Sequence, residues 1–266
     1  MPNLDLDVNH MKIGVVGGGS WGTALANLLA NKGYAIDWWV FEEDLCRHIL
    51  EKRENHLFLP GVTLSENLRP TNDLKTVVAE KDLVLIVVPS HVMRNVAGQM
   101  KPHISSEAVV VSASKGIENK TQLTMSGVIK ETIGSVGERR FAVLSGPSFA
   151  KEVAAGIPTA VTVASKDKAS ARIVQHVFAT PVFRVYTHDD VIGVELGGSV
   201  KNVIAIAAGI IDGLQLGLNT RAALITRGMT ELRRLGLAMG AQPRTFTSLA
   251  GFGDMVLTCT GDLFKR

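Results

Sequence analysis

Residues 12–26 are Lys12-Ile13-Gly14-Val15-Val16-Gly17-Gly18-Gly19-Ser20-Trp21-Gly22-Thr23-Ala24-Leu25-Ala26, and three local signals follow one another within them. The apolar opening predicts a buried parallel strand, and the run from Trp21 onward predicts a helix. Between them, Gly17, Gly19 and Gly22 match G-x-G-x-x-G at a strand-to-helix turn. In this pattern the first glycine permits a tight turn, the second lets the backbone approach a pyrophosphate, and the third allows close packing of helix on strand. The helix amino terminus would then face the phosphates. The segment favours nucleotide binding; the alternative is a glycine turn that serves packing alone.

A second strand is predicted at residues 35–41, and the acid Glu42 follows it. Dinucleotide-binding folds place an acid about 20 residues beyond the glycines, where it accepts a hydrogen bond from the ribose 2′-hydroxyl. Glu42 is positioned for that role, which favours NAD. The run Glu42-Glu43-Asp44 fits the first turn of a helix equally well, since acids stabilise helix amino termini. Both interpretations stand at this point.

Further strands are predicted at residues 83–88, 109–112, 141–144, 159–164 and 183–186, with helices at 91–100 (capped by Ser90) and 168–178. Strands that alternate with helices predict an α/β fold with a doubly wound parallel sheet of the Rossmann type. Polar clusters at residues 89–91, 114–116 and 145–150 follow three of these strands. Ligands of such sheets bind beyond the carboxyl ends of the strands, so we expect the clusters to lie along one edge.

The pattern changes after residue 188. No strand is predicted beyond it, and helices are predicted at residues 191–214, 220–239 and near 246–256. We therefore predict a dinucleotide-binding domain over residues 1–188 and an all-α domain over residues 189–266.

Composition excludes several classes of function. The chain has 266 residues, a net charge of +3 and no basic run, which does not indicate nucleic-acid binding but suits a small anionic substrate. Two distant cysteines, Cys46 and Cys259, and histidines without ligand spacing predict neither a disulfide framework nor a metal site. The acidic segment 1–10 is not a signal peptide, and the longest apolar stretch, residues 203–211, is too short to span a bilayer. We expect a cytoplasmic protein with no integral membrane segment.

Three charged residues are candidates for chemistry. Lys115 lies in a glycine-containing turn after a predicted strand, where it could face a phosphate or be an ordinary exposed lysine. Lys201 lies in an apolar helix just after Gly197-Gly198, which suggests that something packs or binds closely there. A lysine partly removed from water can act as a general acid or base, although a solvent-facing stripe is the alternative. Asp254 follows Gly251-Phe252-Gly253 and could orient Lys201, bind a hydroxyl, or cap a helix.

Taken together, these segments resemble the bacterial type of NAD(P)-dependent glycerol-3-phosphate dehydrogenase. The resemblance runs from Gly14 to about Thr260 and rests on several motifs in order: residues 17–26, Val87-Val-Pro-Ser-His91, Ser114-Lys-Gly-Ile-Glu118, Ser145-Gly-Pro-Ser-Phe-Ala150, Gly193-Val-Glu-Leu-Gly-Gly-Ser-Val-Lys-Asn-Val203, Leu224-Ile-Thr-Arg-Gly228, Gly251-Phe-Gly-Asp254 and Leu257-Thr-Cys-Thr260. It implies reversible hydride transfer between NAD(P)H and dihydroxyacetone phosphate, a three-carbon phosphorylated substrate, to give sn-glycerol 3-phosphate for phospholipid synthesis. A homodimer is left open.

The resemblance also implies residue roles. Lys201 matches the family's proton acceptor in the oxidative direction, and Lys115 matches a catalytic lysine that contacts both substrate and cofactor. The remaining substrate contacts would be Gly146, Ser148, Asn202, Asp254 and Thr258. The remaining cofactor contacts would be Gly17, Gly19, Ser20, Trp21, Gly22, Phe41, Glu42 and Ala150. A nearby ammonium suits this reaction, because hydride addition to a carbonyl develops negative charge on oxygen.

Two departures from the family pattern stand out. Phe41 occupies a position where many members have Arg or His; it cannot pair with a 2′-phosphate, and Glu42 would repel one. At the end of the chain, Phe264, Lys265 and Arg266 stand near a Ser-Arg-Asn stretch of the family, so Lys265 or Arg266 would have to grip the phosphate. The family continues into further helices, so we expect the helical domain over residues 189–266 to be incomplete. The chain would then be either a fragment or a truncated protein that leaves apolar helix faces exposed. The alternatives are a related dehydrogenase acting on another hydroxy acid or sugar, or a catalytically silent nucleotide-binding module.

Overall fold

The computed structural model describes residues 8, 10–134 and 140–261. Its strands are β1 (Ile13–Val16), β2 (Ile36–Trp39), β3 (Leu68–Thr71), β4 (Leu83–Ile86), β5 (Val109–Ser112), β6 (Phe141–Ser145), β7 (Thr159–Ala164) and β8 (Phe183–His188). Its α-helices are α1 (Ser20–Asn31), α2 (Glu43–Lys52), α3 (Leu74–Val78), α4 (Met93–Met100), α5 (Met125–Ile133), α6 (Ala150–Ala154), α7 (Lys168–Phe178), α8 (Val191–Gly213), α9 (Gly217–Ala238) and α10 (Asp254–Thr260).

The described strands form one sheet in the order β3-β2-β1-β4-β5-β6-β7-β8. The first six strands in this order, from β3 through β2, β1, β4 and β5 to β6, run parallel to one another. The carboxyl ends of β1, β4, β5 and β6 therefore share one edge of the sheet. The glycine turn and the polar clusters after β4, β5 and β6 therefore lie along that edge, which confirms the expectation from the sequence.

The predicted doubly wound parallel sheet is confirmed, and it departs from parallel pairing at one pair of strands. Strand β7 runs antiparallel to β6, with Val143 opposite Ala164 and Ser145 opposite Thr162, and β8 is parallel to β7. The link between β6 and β7 holds only the short helix α6, which packs on α1 and does not cross the sheet. The chain therefore re-enters the sheet from the edge at which it left.

Three features differ from the prediction for local reasons. Strand β3 went unrecognised because Pro70 interrupts its short apolar pattern, and the structure places this strand at the edge, where proline is tolerated. The helix predicted near residues 246–256 is three short segments: a 3₁₀ turn at Pro243–Thr247, a π turn at Leu249–Gly253, and α10. Likewise Ser90 begins a 3₁₀ turn, Ser90–Val92, and does not cap α4 directly.

The apolar core lies on both faces of the sheet. One cluster joins the sheet to α1, α2 and α7 through residues such as Leu25, Leu45 and Ile173. A second joins the other face to α3, α4, α5 and the start of α8. A third cluster lies among the helices after His188, around the fully buried ring of Phe246. All regular elements described after β8 are helical, so the change from strands to helices falls where the sequence predicted it.

Helix α8 connects the sheet to the helical part. It is long and apolar enough to cross a membrane by length and composition alone, but core helices share these properties, and its acid Glu195 and base Lys201 are buried against other parts of the protein. One stripe of α8 is exposed and apolar, as expected from the sequence: it comprises Val203, Ile206 and Ile210, and the exposed Leu214 continues it just after the helix.

Candidate active site

The glycine turn after β1 has the geometry that its sequence predicted. Gly17 has φ +128, and a Cβ atom there would lie 2.2 Å from the backbone oxygen of Val87. A Cβ at Gly22 would lie 2.3 Å from the oxygen of Gly17, so α1 packs directly on the turn. Gly19 differs, because a Cβ there would meet nothing within 4 Å. Gly17 and Gly22 are therefore required for packing, whereas Gly19 faces open space.

The amino terminus of α1 is available to an anion. The helix begins at Ser20, no side chain caps it at Gly19, and its first turn holds no acid. The indole N–H of Trp21 is buried and has no hydrogen-bond partner among the described residues. Free N–H groups at an uncapped helix start, beside an open glycine face, fit the pyrophosphate of a dinucleotide.

Asn55 supports this turn, and the sequence analysis missed it. Its fully buried amide donates to the Gly18 carbonyl oxygen and to Thr23 Oγ1, both at 2.8 Å, and its oxygen accepts from Phe58 N–H. Asn55 lies more than 30 residues from the glycine loop in the chain. No local pattern distinguishes such an asparagine from an ordinary loop residue; its burial alone reveals its role.

Phe41 and Glu42, the two residues expected at the ribose, follow the end of β2. The Phe41 ring is 73% exposed and meets Trp39 edge to face, with ring centroids 5.8 Å apart. Glu42 precedes α2 with an exposed carboxylate that makes no capping hydrogen bond. Arg47, which could have offset the charge of Glu42, lies 3.4 Å from Asp44. No basic side chain is therefore paired with Glu42 in the part of the chain that the structure describes.

The central feature of the site is a carboxylate shared by two lysines. Lys115, on the loop after β5, places Nζ 2.9 Å from Asp254 Oδ2, and Lys201, on α8, places Nζ 2.5 Å from Asp254 Oδ1. Asp254 is completely buried, and Thr258 Oγ1 lies 2.8 Å from the Lys201 ammonium. Two positive charges against one negative charge leave a net positive site that suits an anionic substrate.

The pKa of Lys201 is lowered to about 8, chiefly because burial removes the side chain from water and disfavours its charged form. The neighbouring Lys115 ammonium also contributes to this lowering, whereas Asp254 opposes both effects by stabilising the Lys201 ammonium. The Lys201 side chain is 8% exposed and that of Lys115 is 24% exposed. Lys201 can therefore gain and lose a proton near neutral pH, and Lys115 reaches closer to solvent.

The two glycines before Lys201 permit this arrangement. A Cβ at Gly197 would lie 2.2 Å from the Ala250 backbone oxygen, and one at Gly198 would lie 2.8 Å from Ser145 Oγ. The segment that leads to Asp254 packs on Gly197, and the end of β6 packs on Gly198. This confirms that close packing explains these glycines, as their position in a helix suggested.

The other residues carried over from the resemblance are placed unevenly. Gly146 is buried and Ser148 partly buried after β6, where Ser148 Oγ donates to the Gly146 carbonyl oxygen at 2.9 Å, and Ala150 begins α6 beside them. Thr258 contacts Lys201 directly. Asn202, by contrast, is exposed and is not among the groups that contact the Lys201–Asp254 pair. Lys265 and Arg266 lie outside the described residues.

The buried acid Glu195 also escaped the sequence analysis. It accepts hydrogen bonds from Ser126 N–H at 2.7 Å and from Ser126 Oγ at 2.5 Å, and so ties α8 to the start of α5. Burial raises the pKa of Glu195. The sequence did offer one signal, which is the position of this acid among apolar helix residues. A buried acid is rarely left without a hydrogen-bond or charge partner, so that position indicates a partner elsewhere in the chain.

Two family models match the chain. The model described as NAD-dependent glycerol-3-phosphate dehydrogenase N-terminus matches residues 12–171, and the corresponding C-terminus model matches residues 190–265. A glycerol-3-phosphate dehydrogenase [NAD(P)+] of Syntrophobacter fumaroxidans is 57% identical over 96% of this chain and 75% of that protein. The enzyme of that name from Geobacter sulfurreducens is 56% identical over 96% of this chain and 76% of that protein. The crystal structure of glycerol-3-phosphate dehydrogenase from Coxiella burnetii has a TM-score of 0.90 and 43% identity, over 95% of this chain and 77% of that one.

Proposed function

The chain belongs to the NAD-dependent glycerol-3-phosphate dehydrogenase family, and on that premise we propose the role of each residue in its site. The protein is an NAD(P)-dependent oxidoreductase that interconverts dihydroxyacetone phosphate and sn-glycerol 3-phosphate. The observation that carries the assignment of roles is the buried carboxylate of Asp254 between the ammonium groups of Lys115 and Lys201. We divide the chain at residues 188 and 189, which the end of β8 and the separate ranges of the two family models support.

The nicotinamide, when bound, exchanges hydride with the C2 carbon of the substrate. Lys201 holds the proton that this exchange requires: its ammonium donates to the oxygen on C2 in reduction, and its amine accepts that proton in oxidation. A pKa of about 8 supports both directions near neutral pH. Asp254 keeps the ammonium oriented, and Thr258 fixes it from a second direction.

Lys115 serves the anionic end of the substrate and the negative charge that develops on the C2 oxygen. Its ammonium is the more exposed of the two and shares the carboxylate with Lys201. Gly146 and Ser148 line the neighbouring loop after β6. We propose Asn202, exposed one residue after Lys201, only as an outer contact of this site.

The cofactor binds along the glycine turn, with Gly19, Ser20 and Trp21 at its pyrophosphate. The open face of Gly19 and the unpaired Trp21 indole N–H support this placement. At the ribose, exposed Phe41 and the unpaired Glu42 favour NADH, because a 2′-phosphate would meet a carboxylate and no described basic partner. Ala150, at the start of α6, completes the proposed cofactor contacts.

A spectrophotometric assay with dihydroxyacetone phosphate, run separately with NADH and NADPH, tests the proposal. We expect turnover with a preference for NADH. Lys201→Ala should remove most turnover with nearly unchanged cofactor affinity, and Lys115→Ala should raise the Michaelis constant for substrate and lower kcat. Preferred turnover of a non-phosphorylated carbonyl compound would favour a related dehydrogenase, and cofactor binding without turnover would favour a silent binding module.

Two coarser properties are also proposals. We place the enzyme in the cytoplasm, which the free, buried thiols of Cys46 and Cys259 support, and which fractionation of the native cells would test. We propose a homodimer as the assembly to test, by light scattering of the purified chain.

A further inference from the structure

We propose that Ser199 is a positioning residue that sets the place of Lys115 against Lys201. Ser199 lies on α8, and its Oγ accepts a hydrogen bond from Gly116 N–H at 3.0 Å. The hydroxyl hydrogen has two acceptors, the Glu195 carbonyl oxygen at 2.7 Å and the Gly116 carbonyl oxygen at 3.2 Å. Ser199, on the same helix as Lys201, thereby hydrogen-bonds to the backbone of Gly116, the residue next to Lys115.

The loop that carries Lys115 is anchored on both sides. Before it, Ser114 Oγ accepts from Val88 N–H at 3.0 Å and so ties the loop to the end of β4. After it, Gly116 has φ +140 and packs so tightly on Ser90 that a Cβ would lie 2.5 Å from the Ser90 hydroxyl oxygen. With Ser114 and Ser90 on the sheet side, Ser199 supplies the anchor on the helical side.

The Lys115 side chain crosses α8 beside this anchor. A Cβ at Gly198 would lie 3.5 Å from both Cγ and Cδ of Lys115, so the lysine stem runs over that glycine before Nζ reaches Asp254. Three features of one helical turn therefore set the position of the Lys115 ammonium relative to that of Lys201. They are the hydrogen bond at Ser199, the space left by Gly198 and the general acid–base group of Lys201. Loss of the first would let the Lys115 backbone move while its ammonium remains attracted to Asp254.

A purely structural role for Ser199 would have different consequences. Serine hydroxyls in helices often bond to the carbonyl four residues earlier, as Ser199 does to Glu195, without any functional effect. If that bond were its only contribution, removal would alter stability and activity alike, whether or not Lys115 was present. If Ser199 acts through Lys115, the effect on catalysis should disappear once the Lys115 side chain is removed.

The experiment is a double-mutant cycle between Ser199→Ala and Lys115→Ala, followed through kcat/KM for dihydroxyacetone phosphate at saturating NADH. The inference rests on the proposed roles of the two lysines. In the wild-type background, we expect Ser199→Ala to lower kcat/KM about tenfold, because one backbone donor loses its partner. In the Lys115→Ala background the same change should alter kcat/KM less than about twofold. Ser199→Thr, which keeps the hydroxyl, should recover most of the loss.

Ser126→Ala is the matched control, because it deletes a hydroxyl from another hydrogen bond to α8, and the described partners of Ser126 are Thr124 and Glu195 and not the loop that carries Lys115. Its effect on kcat/KM should be the same in both backgrounds. Equal losses from Ser199→Ala in both backgrounds, or no recovery in Ser199→Thr, would overturn the inference.

Amide hydrogen exchange gives a reading that does not depend on turnover. Ser199→Ala should accelerate exchange of the Gly116 amide, and Ser126→Ala should not. An unchanged Gly116 amide would refute the inference even in an inactive chain, whereas faster exchange in a chain without turnover would count against the proposed function and leave the anchor in place.

Discussion

The pH dependence of catalysis should follow the Lys201–Asp254 pair. In the reductive direction Lys201 must carry a proton, and its pKa lies near 8. We therefore expect kcat/KM for dihydroxyacetone phosphate to be constant below about pH 8 and to fall about tenfold per pH unit above it. In the oxidative direction the amine must be free, so kcat/KM for sn-glycerol 3-phosphate should rise through the same midpoint.

Asp254→Asn should move this midpoint to lower pH. The carboxylate favours the charged form of Lys201, so its loss leaves burial and the charge of Lys115 acting together to lower the pKa. A hydrogen bond to a charged group contributes roughly 1.5–3 kcal/mol, and one pKa unit corresponds to about 1.4 kcal/mol. The midpoint should therefore fall by about one to two units, to between about 6 and 7. At pH 7.5 a shift of about 1.5 units would reduce the protonated fraction about eightfold.

Initial rates of NADH oxidation and NAD reduction, measured from pH 6 to 10 with wild type and variant, would locate both midpoints. Asp189→Asn is the control: Asp189 directly follows β8 and its carboxylate pairs with Arg244 rather than with either lysine, so its loss should leave the midpoint in place. An unchanged or higher midpoint in Asp254→Asn would refute the reasoning, because it would mean that another group supplies the proton.

Three further changes test other parts of the structure. Gly22→Ala should lower the melting temperature and weaken NADH binding, because the added methyl group would overlap the Gly17 oxygen at a cost of roughly 1–3 kcal/mol. Gly209→Ala, whose methyl group would meet nothing within 4 Å, should raise the melting temperature. Equal shifts of the melting temperature in calorimetry would contradict this account. Glu42→Ala should raise the ratio of kcat/KM for NADPH to that for NADH by about threefold to tenfold, because a carboxylate no longer opposes the 2′-phosphate. Replacement of the neighbouring acid, Glu43→Ala, should leave this ratio unchanged in the same assay. The Glu195→Gln variant should become more stable relative to wild type as the pH rises above about 4.5, because a carboxyl whose pKa is raised in the folded state destabilises the fold once it must ionise. If urea unfolding gave the same difference in stability between variant and wild type at all pH values, this reasoning would be excluded.

The sequence by itself determined the features that depend on neighbouring residues. The strand, glycine turn and helix at residues 13–31 follow from backbone geometry that only glycine permits and from an apolar run too short for a helix. Helix α7 has the bounds that the sequence predicted, and Asp167 caps it by accepting from Ala169 and Ser170 N–H. The motifs also identified Lys115, Lys201 and Asp254 as candidates, because each stands beside glycines in an unusual local setting.

Tertiary structure alone decided how these residues meet. Asp254 is 139 residues from Lys115 and 53 from Lys201, so no local pattern could show that its carboxylate binds both. The reversal of β7 depends on which way a 13-residue link packs, and the roles of Asn55 and Ser199 depend on contacts with distant backbone. Short-range signals fix the conformation of a segment, whereas burial, shared hydrogen bonds and the lowered pKa of Lys201 exist only after segments from both ends of the chain have packed together.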